Sequence, residues 1–253
     1  NFTKAYQNRA YVNFIQHKDL EALKDFENLL KFNPENHDAQ FFKATIELSN
    51  ENLIEGFKNY EVRWKYSRFP TKIKNFEGKI WDGKENIKDK TILLYCEQGL
   101  GDQIQFIRFV DMILNKGAEV IVQVDQRLVK LFNETTNFKN IYGDNEKLPK
   151  FDFHCPIMSL PHKLKVNINS IPNNSYLKVD KIRTEKWKKL FNNKMINIGV
   201  NWQGGVDPRQ DHGRSFNINY LEKISKMKNI KLFSLQKING MEQIKNRKNN
   251  FNL

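Results

Sequence analysis

The sequence is poor in the features that mark several protein classes. Only two of its 253 residues are cysteine, Cys96 and Cys155, and neither stands at metal-ligand spacing. That excludes a disulfide framework, and because both lie in apolar β-type runs they read as reduced core thiols. No apolar run approaches the length of about 20 residues that spans a bilayer, and the opening Asn-Phe-Thr-Lys-Ala-Tyr has no apolar signal core. The expected location is the cytoplasm, or the periphery of the inner membrane. The first residue is Asn rather than Met, so the chain is expected to be a piece of something longer. Mean hydropathy is low, at −0.69, yet aromatic and aliphatic clusters recur along the whole length, which argues for a packed protein and against disorder.

Charge is plentiful and of one sign, with a formal net charge of +13. The basic residues are dispersed, densest over 181–194 and 223–248. They fit a solvated, solubilising surface, and they also fit an anion-binding face. Aromatic and basic residues do not interleave as on an RNA-binding sheet, so no nucleic-acid partner is expected.

Two halves of the first 68 residues resemble each other. A shift of 34 residues superposes Ala10 on Ala44, Phe14 on Leu48, Leu20 on Ile54, Ala22 on Gly56, Leu23 on Phe57 and Phe26 on Tyr60. Apolar residues at helical spacing, closed by Asn33-Pro34, predict helical hairpins. The small residues at 10, 22, 44 and 56 allow helices to approach closely, and Phe26 and Tyr60 fill the space between hairpins. The pattern resembles the tetratricopeptide repeat, which implies a peptide or protein partner on this segment.

From residue 90 apolar β-type runs alternate with amphipathic stretches, as in a βαβ architecture with a largely parallel sheet. Strands are expected at 91–97, 119–124, 140–142, 151–155, 195–202 and 231–235, and helices at 102–115, 127–132, 184–192 and 218–226. Glu97-Gln98-Gly99-Leu100-Gly101-Asp102 occupies the turn between the first strand and helix, where α/β folds place ligands. It is no dinucleotide fingerprint, because the third glycine and a Walker lysine are missing. Asp102 itself would compete with a pyrophosphate for the helix amides.

The ordered set Leu94–Phe106, Phe151–Pro156 with Ser159-Leu160-Pro161, Ile198–Trp202 and Ser234-Leu235-Gln236 resembles bacterial proteins that join tetratricopeptide repeats to a glycosyltransferase family 9, heptosyltransferase-like domain. The fold class so implied is α + α/β: helical hairpins over 1–68, a GT-B-type Rossmann-like acceptor-side domain over 76–193, and the start of a nucleotide-sugar domain over 194–253. The resemblance implies metal-independent inverting transfer from a nucleotide-sugar donor to a glycan or protein acceptor, with no cofactor. No Asp-x-Asp pair is present that would suggest the metal-dependent plan. It makes Asp102 the base, a role that competes with helix capping, and puts Gln98, Gly99, Gly101 and Gln103 in the substrate cleft. Arg214 is the best match to the donor-phosphate contact, joined by Trp202, Gln203, Gly204 and Ser215, with Lys237 and Arg209 weaker candidates. His154 and His162 are read as structural and His212 as loop-borne. The family's second domain runs well past a Ser-Leu-Gln strand, so little turnover is expected from this chain alone. A non-catalytic repeat scaffold is the alternative.

Overall fold

The computed structural model describes residues 2–191, 194–205 and 213–245, which fall into two compact units, 1–178 and 179–253. The first combines a helical region with a parallel sheet core resembling a Rossmann-like domain. Among the described residues no helix is long and apolar enough to cross a membrane.

The helical region comprises α1 (Phe2–Ile15), α2 (Asp19–Phe32), α3 (His37–Ser49) and α4 (Leu53–Asn59), which runs on into a 3₁₀ turn, Tyr60–Lys65. The connections are too short for anything but antiparallel neighbours. Ala10, Ala22 and Ala44 are fully buried where helices meet. A Cβ built on Gly56 would lie 2.8 Å from Leu48 Cδ2, so α4 sits against α3 at a distance that only glycine allows. Phe26 stacks on Phe42 at 5.6 Å and Tyr60 tilts against Phe41 at 5.4 Å. Asp25 is buried yet satisfied, because Arg9 donates to both of its oxygens at 2.7 Å.

Five parallel strands form the main sheet in the order β1-β5-β2-β3-β4. They are β1 (Lys79–Ile80), β2 (Thr91–Tyr95), β3 (Glu119–Val124), β4 (Asn140–Gly143) and β5 (Phe153–Pro156). The two-residue β1 is not legible in the sequence. Alternation along β2 and β3 sends Ile92, Leu94, Val120, Val122 and Val124 into one core. Three helices supply its other side: α5 (Leu100–Phe106), α6 (Val110–Leu114) and α7 (Gln126–Thr135). The single helix expected over 102–115 is interrupted by a 3₁₀ turn at Ile107–Phe109, which lets Ile107, Phe109 and Val110 all turn inward. Tyr95 and His154 point to the other face, where Phe76 packs on both at 5.1 and 5.4 Å. A short α8 (Leu160–Lys163) follows β5.

The second unit carries α9 (Lys181–Lys188), β6 (Ile196–Val200), α10 (Glu222–Ser225), β7 (Ile230–Ser234) and α11 (Glu242–Lys245). The strands β6 and β7 pair in parallel, with Val200, Trp202, Ile218 and Leu232 as their core. The expected strand 195–202 ends at Val200, which leaves Trp202 in the loop beyond it.

Candidate functional site

The chain runs from β2 outward through β3 to β4 and then returns to lay β5 on the other flank of β2. The crevice beyond the carboxyl ends of β2 and β5 is therefore the topological switch point, where open α/β sheets receive ligands. In this protein the crevice is filled from within. The 3₁₀ turn after α4 delivers Arg63, whose side chain has no solvent exposure. Its Nε donates to Glu97 Oε1 at 2.7 Å, Nη1 to Glu61 Oε1 at 2.6 Å and Nη2 to Ser159 Oγ at 2.7 Å. Ser159 in turn donates to Glu61 Oε1 at 2.8 Å. The guanidinium also lies 4.5 Å from the centroid of the Trp64 ring.

Two carboxylates thus meet one buried cation: Glu97 is buried with it, while Glu61 is partly exposed and also lies 3.7 Å from Lys163 Nζ. Burial pushes the Glu97 pKa up to about 7 even though Arg63 pulls it down, and Glu61 and Asp102 add like-charge repulsion. Its Oε2 is buried with no hydrogen-bond partner among the described residues. Burial lowers the pKa of Arg63, but Glu97 and Glu61 outweigh it and the net shift is upward. Tyr60 is raised to about 12, chiefly by burial. Arg63, Glu97 and Ser159 are all buried, and the network links the end of the helical region to the residues that follow β2 and β5.

The residues read from sequence as a cleft surround this pair. Gln98 takes a left-handed backbone with φ 74°. Gln103 is buried, accepts from Asp125 N at 2.9 Å and donates to Gln98 O at 3.2 Å, so it ties the β2–α5 turn to the β3–α7 turn. Asp102 Oδ2 accepts from Gly99 N at 3.1 Å, the geometry of a carboxylate closing the first turn of a helix. Gly99 and Gly101 are exposed, and a Cβ on Gly101 would meet nothing within 4 Å.

The second group, Trp202, Gln203, Gly204, Arg214, Ser215 and Lys237, lies in the other unit and is described by itself. Gln236 organises it. Its Oε1 accepts from Trp202 N at 3.0 Å and Gln203 N at 2.9 Å, and its Nε2 donates to Gln203 O at 2.9 Å. Gly204 N donates to Ser215 Oγ at 2.9 Å, Gln243 Nε2 to Gln203 Oε1 at 3.0 Å, and Trp202 Nε1 to Gly240 O at 3.1 Å. Arg214 and Lys237 are exposed beside this network. Arg209 and His212 lie outside the described residues. His154 and His162 are both held below the usual histidine range by burial. Among the described residues no cluster of three or more His, Cys, Asp or Glu could hold a metal ion.

Sequence reasoning missed Arg63, Glu61 and Ser159 as a unit, and Gln236 as an organiser. The available signal was an arginine and an acid inside an aromatic-rich helix end, and an acid ending an otherwise apolar strand.

Among proteins of known description, the chain is similar to Protein FlbA of Caulobacter vibrioides, with 27% identity over 210 residues, covering 74% of this chain and 35% of that protein. The chain spans about a third of the length of this relative. No family model matches the chain, and no solved structure matches it.

These findings overturn the expected family. Neither a tetratricopeptide-repeat model nor a glycosyltransferase family 9 model matches, and the relative carries neither name. With the family go the activity and partners it implied: enzymatic sugar transfer, a nucleotide-sugar donor, a glycan or protein acceptor, and a peptide or protein partner on a repeat-like segment. The geometry supplies a physical reason why the motifs pointed that way. The Gly-x-Gly-Asp turn caps a helix, and the Trp202–Gly204 loop and Gln236 hydrogen-bond to each other, so both strings meet local structural needs.

Proposed function

We propose that this chain is a non-catalytic structural module that locks a helical layer onto a parallel α/β sheet. The observation that carries this reading is Arg63, a fully buried guanidinium from the end of the helical region that occupies the crevice at the ends of β2 and β5. An ion pair closed off from water joins its two layers in one geometry, because either charge alone would be expensive to bury. The turn at 98–103 serves the same end. Asp102 is assigned to capping α5, with Gln98, Gly99, Gly101 and Gln103 shaping the turn around Glu97. In the second unit Trp202, Gln203, Gly204 and Ser215 are assigned to loop architecture, with Arg214 and Lys237 on its surface. The proposed segments are 1–68, 76–193 and 194–253, with α9 of the middle segment falling in the compact unit 179–253, and the two buried free thiols support a reducing compartment.

Hydrogen exchange of the full chain, resolved by segment, tests the proposal. Amides of α3 and α4 should open with the same free energy as those of β2 and β5 in the natural protein. In an Arg63→Met variant the helical amides should exchange faster than the strands. Equal protection of both layers in that variant would refute the locking role.

A further inference from the structure

The helical region holds a cavity of about 190 Å³ for which the locking role has no use. Its aromatic lining is four rings, Tyr11, Phe26, Phe42 and Tyr66. Tyr11 and Tyr66 stand steeply against Phe42, with centroids 5.5 and 5.7 Å from it and interplanar angles of 66° and 73°. Phe26 stacks on Phe42 at 5.6 Å, and Gln7 and Asn8 also line the cavity.

Two opposite charges complete the lining. The Asp38 carboxylate is fixed in place, accepting from Ser67 N at 3.0 Å and from Ser67 Oγ at 2.8 Å. Each oxygen keeps a lone pair for a further donor. Arg68 follows Ser67 directly and is exposed. Burial raises the pKa of the Tyr66 hydroxyl, with Arg68 pulling it down and Asp38 pushing it up, so both charges are near enough to act on it. Yet they form no ion pair with each other among the described residues. An anion and a cation lining the same aromatic slot are the complement of a ligand that carries both charges on one carbon and an apolar group beside them. The volume is below the roughly 300 Å³ at which pockets take drug-sized ligands, so the ligand is small.

We propose that this cavity binds a free amino acid with an aromatic or large aliphatic side chain. The α-ammonium sits on Asp38, the α-carboxylate on Arg68, and the side chain against Phe42 between Tyr11 and Tyr66. Tyr66 N donates to Arg63 O at 3.2 Å, but the side chains placed on the ligand make no hydrogen bond to the side chain of Arg63 or Glu97 among the described residues, so this proposal is tested apart from the locking role.

Calorimetric titration of the full chain with L-phenylalanine and L-leucine tests the proposal. Saturable binding is expected for both. N-acetyl-L-phenylalanine, which lacks the ammonium, and L-phenylalaninamide, which lacks the carboxylate, should each bind about tenfold more weakly or worse, the scale of a lost charged hydrogen bond. Arg68→Gln, at an exposed position, should leave the fold intact, weaken L-phenylalanine by a similar factor and leave L-phenylalaninamide unaffected. Absence of binding by both amino acids at millimolar concentration would overturn the proposal. So would N-acetyl-L-phenylalanine binding as well as the free amino acid, or an Arg68→Gln protein that binds L-phenylalanine undiminished.

Discussion

Replacing Arg63 by methionine removes the one cation that Glu97 touches among the described residues and leaves a carboxyl that is 2% exposed without its partner. Breaking a buried pair from one side costs about 3 to 5 kcal/mol, whereas replacing both partners by apolar or neutral groups of similar size is often close to neutral. Arg63→Met should therefore lower unfolding stability by about 3 kcal/mol or more, and Arg63→Met with Glu97→Leu should recover the part owed to the buried Glu97, with the contacts to Glu61 and Ser159 still lost. The pH profile gives an independent reading. The folded pKa of Glu97 is about 7 against an ordinary value of 4.5. Its protonation thus contributes stability that is full below pH 4.5 and is lost as pH rises to about 7; a gap of this size corresponds to about 3 kcal/mol. His154 and His162 are shifted the opposite way and lose stability as pH falls, so the informative quantity is the difference between the natural protein and Glu97→Gln. Urea unfolding from pH 4.5 to 8, followed by far-ultraviolet circular dichroism, measures it. If Arg63→Met costs under about 1 kcal/mol, or if the paired substitution costs as much as the two single ones together, the argument from a shared buried charge is wrong.

Other substitutions probe neighbouring features. Gly101→Ala should stabilise by about 0.5 to 1 kcal/mol, since α5 gains helix propensity and the new methyl meets open space; a loss of stability in urea would contradict that geometry. Gly56→Ala should destabilise by about 1 to 3 kcal/mol through overpacking against Leu48, seen as a lower thermal midpoint and faster exchange in α4. Gln236→Ala should strip the amides of Trp202 and Gln203 of their acceptor and cost about 1 to 3 kcal/mol in the second unit. Its readout is a red shift of Trp202 emission, and an unshifted spectrum would argue against the network. Asp102→Asn keeps a good capping acceptor and should cost only a few tenths of a kcal/mol by thermal melting.

Local pattern made much of the fold legible. The apolar run at 91–97 and the alternation at 119–124 demand strands wherever they are placed, and the small residues at 10, 22, 44 and 56 demand close helix contacts. Residues whose role depends on a distant partner stayed hidden. Arg63 and Glu97 are 34 positions apart in the chain, and only the closed fold brings them within 2.7 Å. Gln236 was visible as part of a Ser-Leu-Gln string, but its two acceptor bonds reach back to residues 202 and 203. The strand Lys79–Ile80 is too short to carry a period, and the break at Ile107–Phe109 interrupts a pattern that suits a continuous helix equally well. The family resemblance misled for a related reason. Strings such as Gly-Leu-Gly-Asp are common solutions to ending a strand and starting a helix, and they recur wherever that join is needed.

The outer boundary of the main sheet beside β5 is the two-residue strand β1, exposed at both positions and carrying Lys79. A β edge recruits foreign strands in proportion to the length of unpaired backbone it displays, and lysine raises the desolvation cost of each added pairing. A short charged rim of this kind gives an incoming chain little to template on. It shields the apolar strands β5 and β2 behind it from the edge-to-edge growth that ends in fibrils.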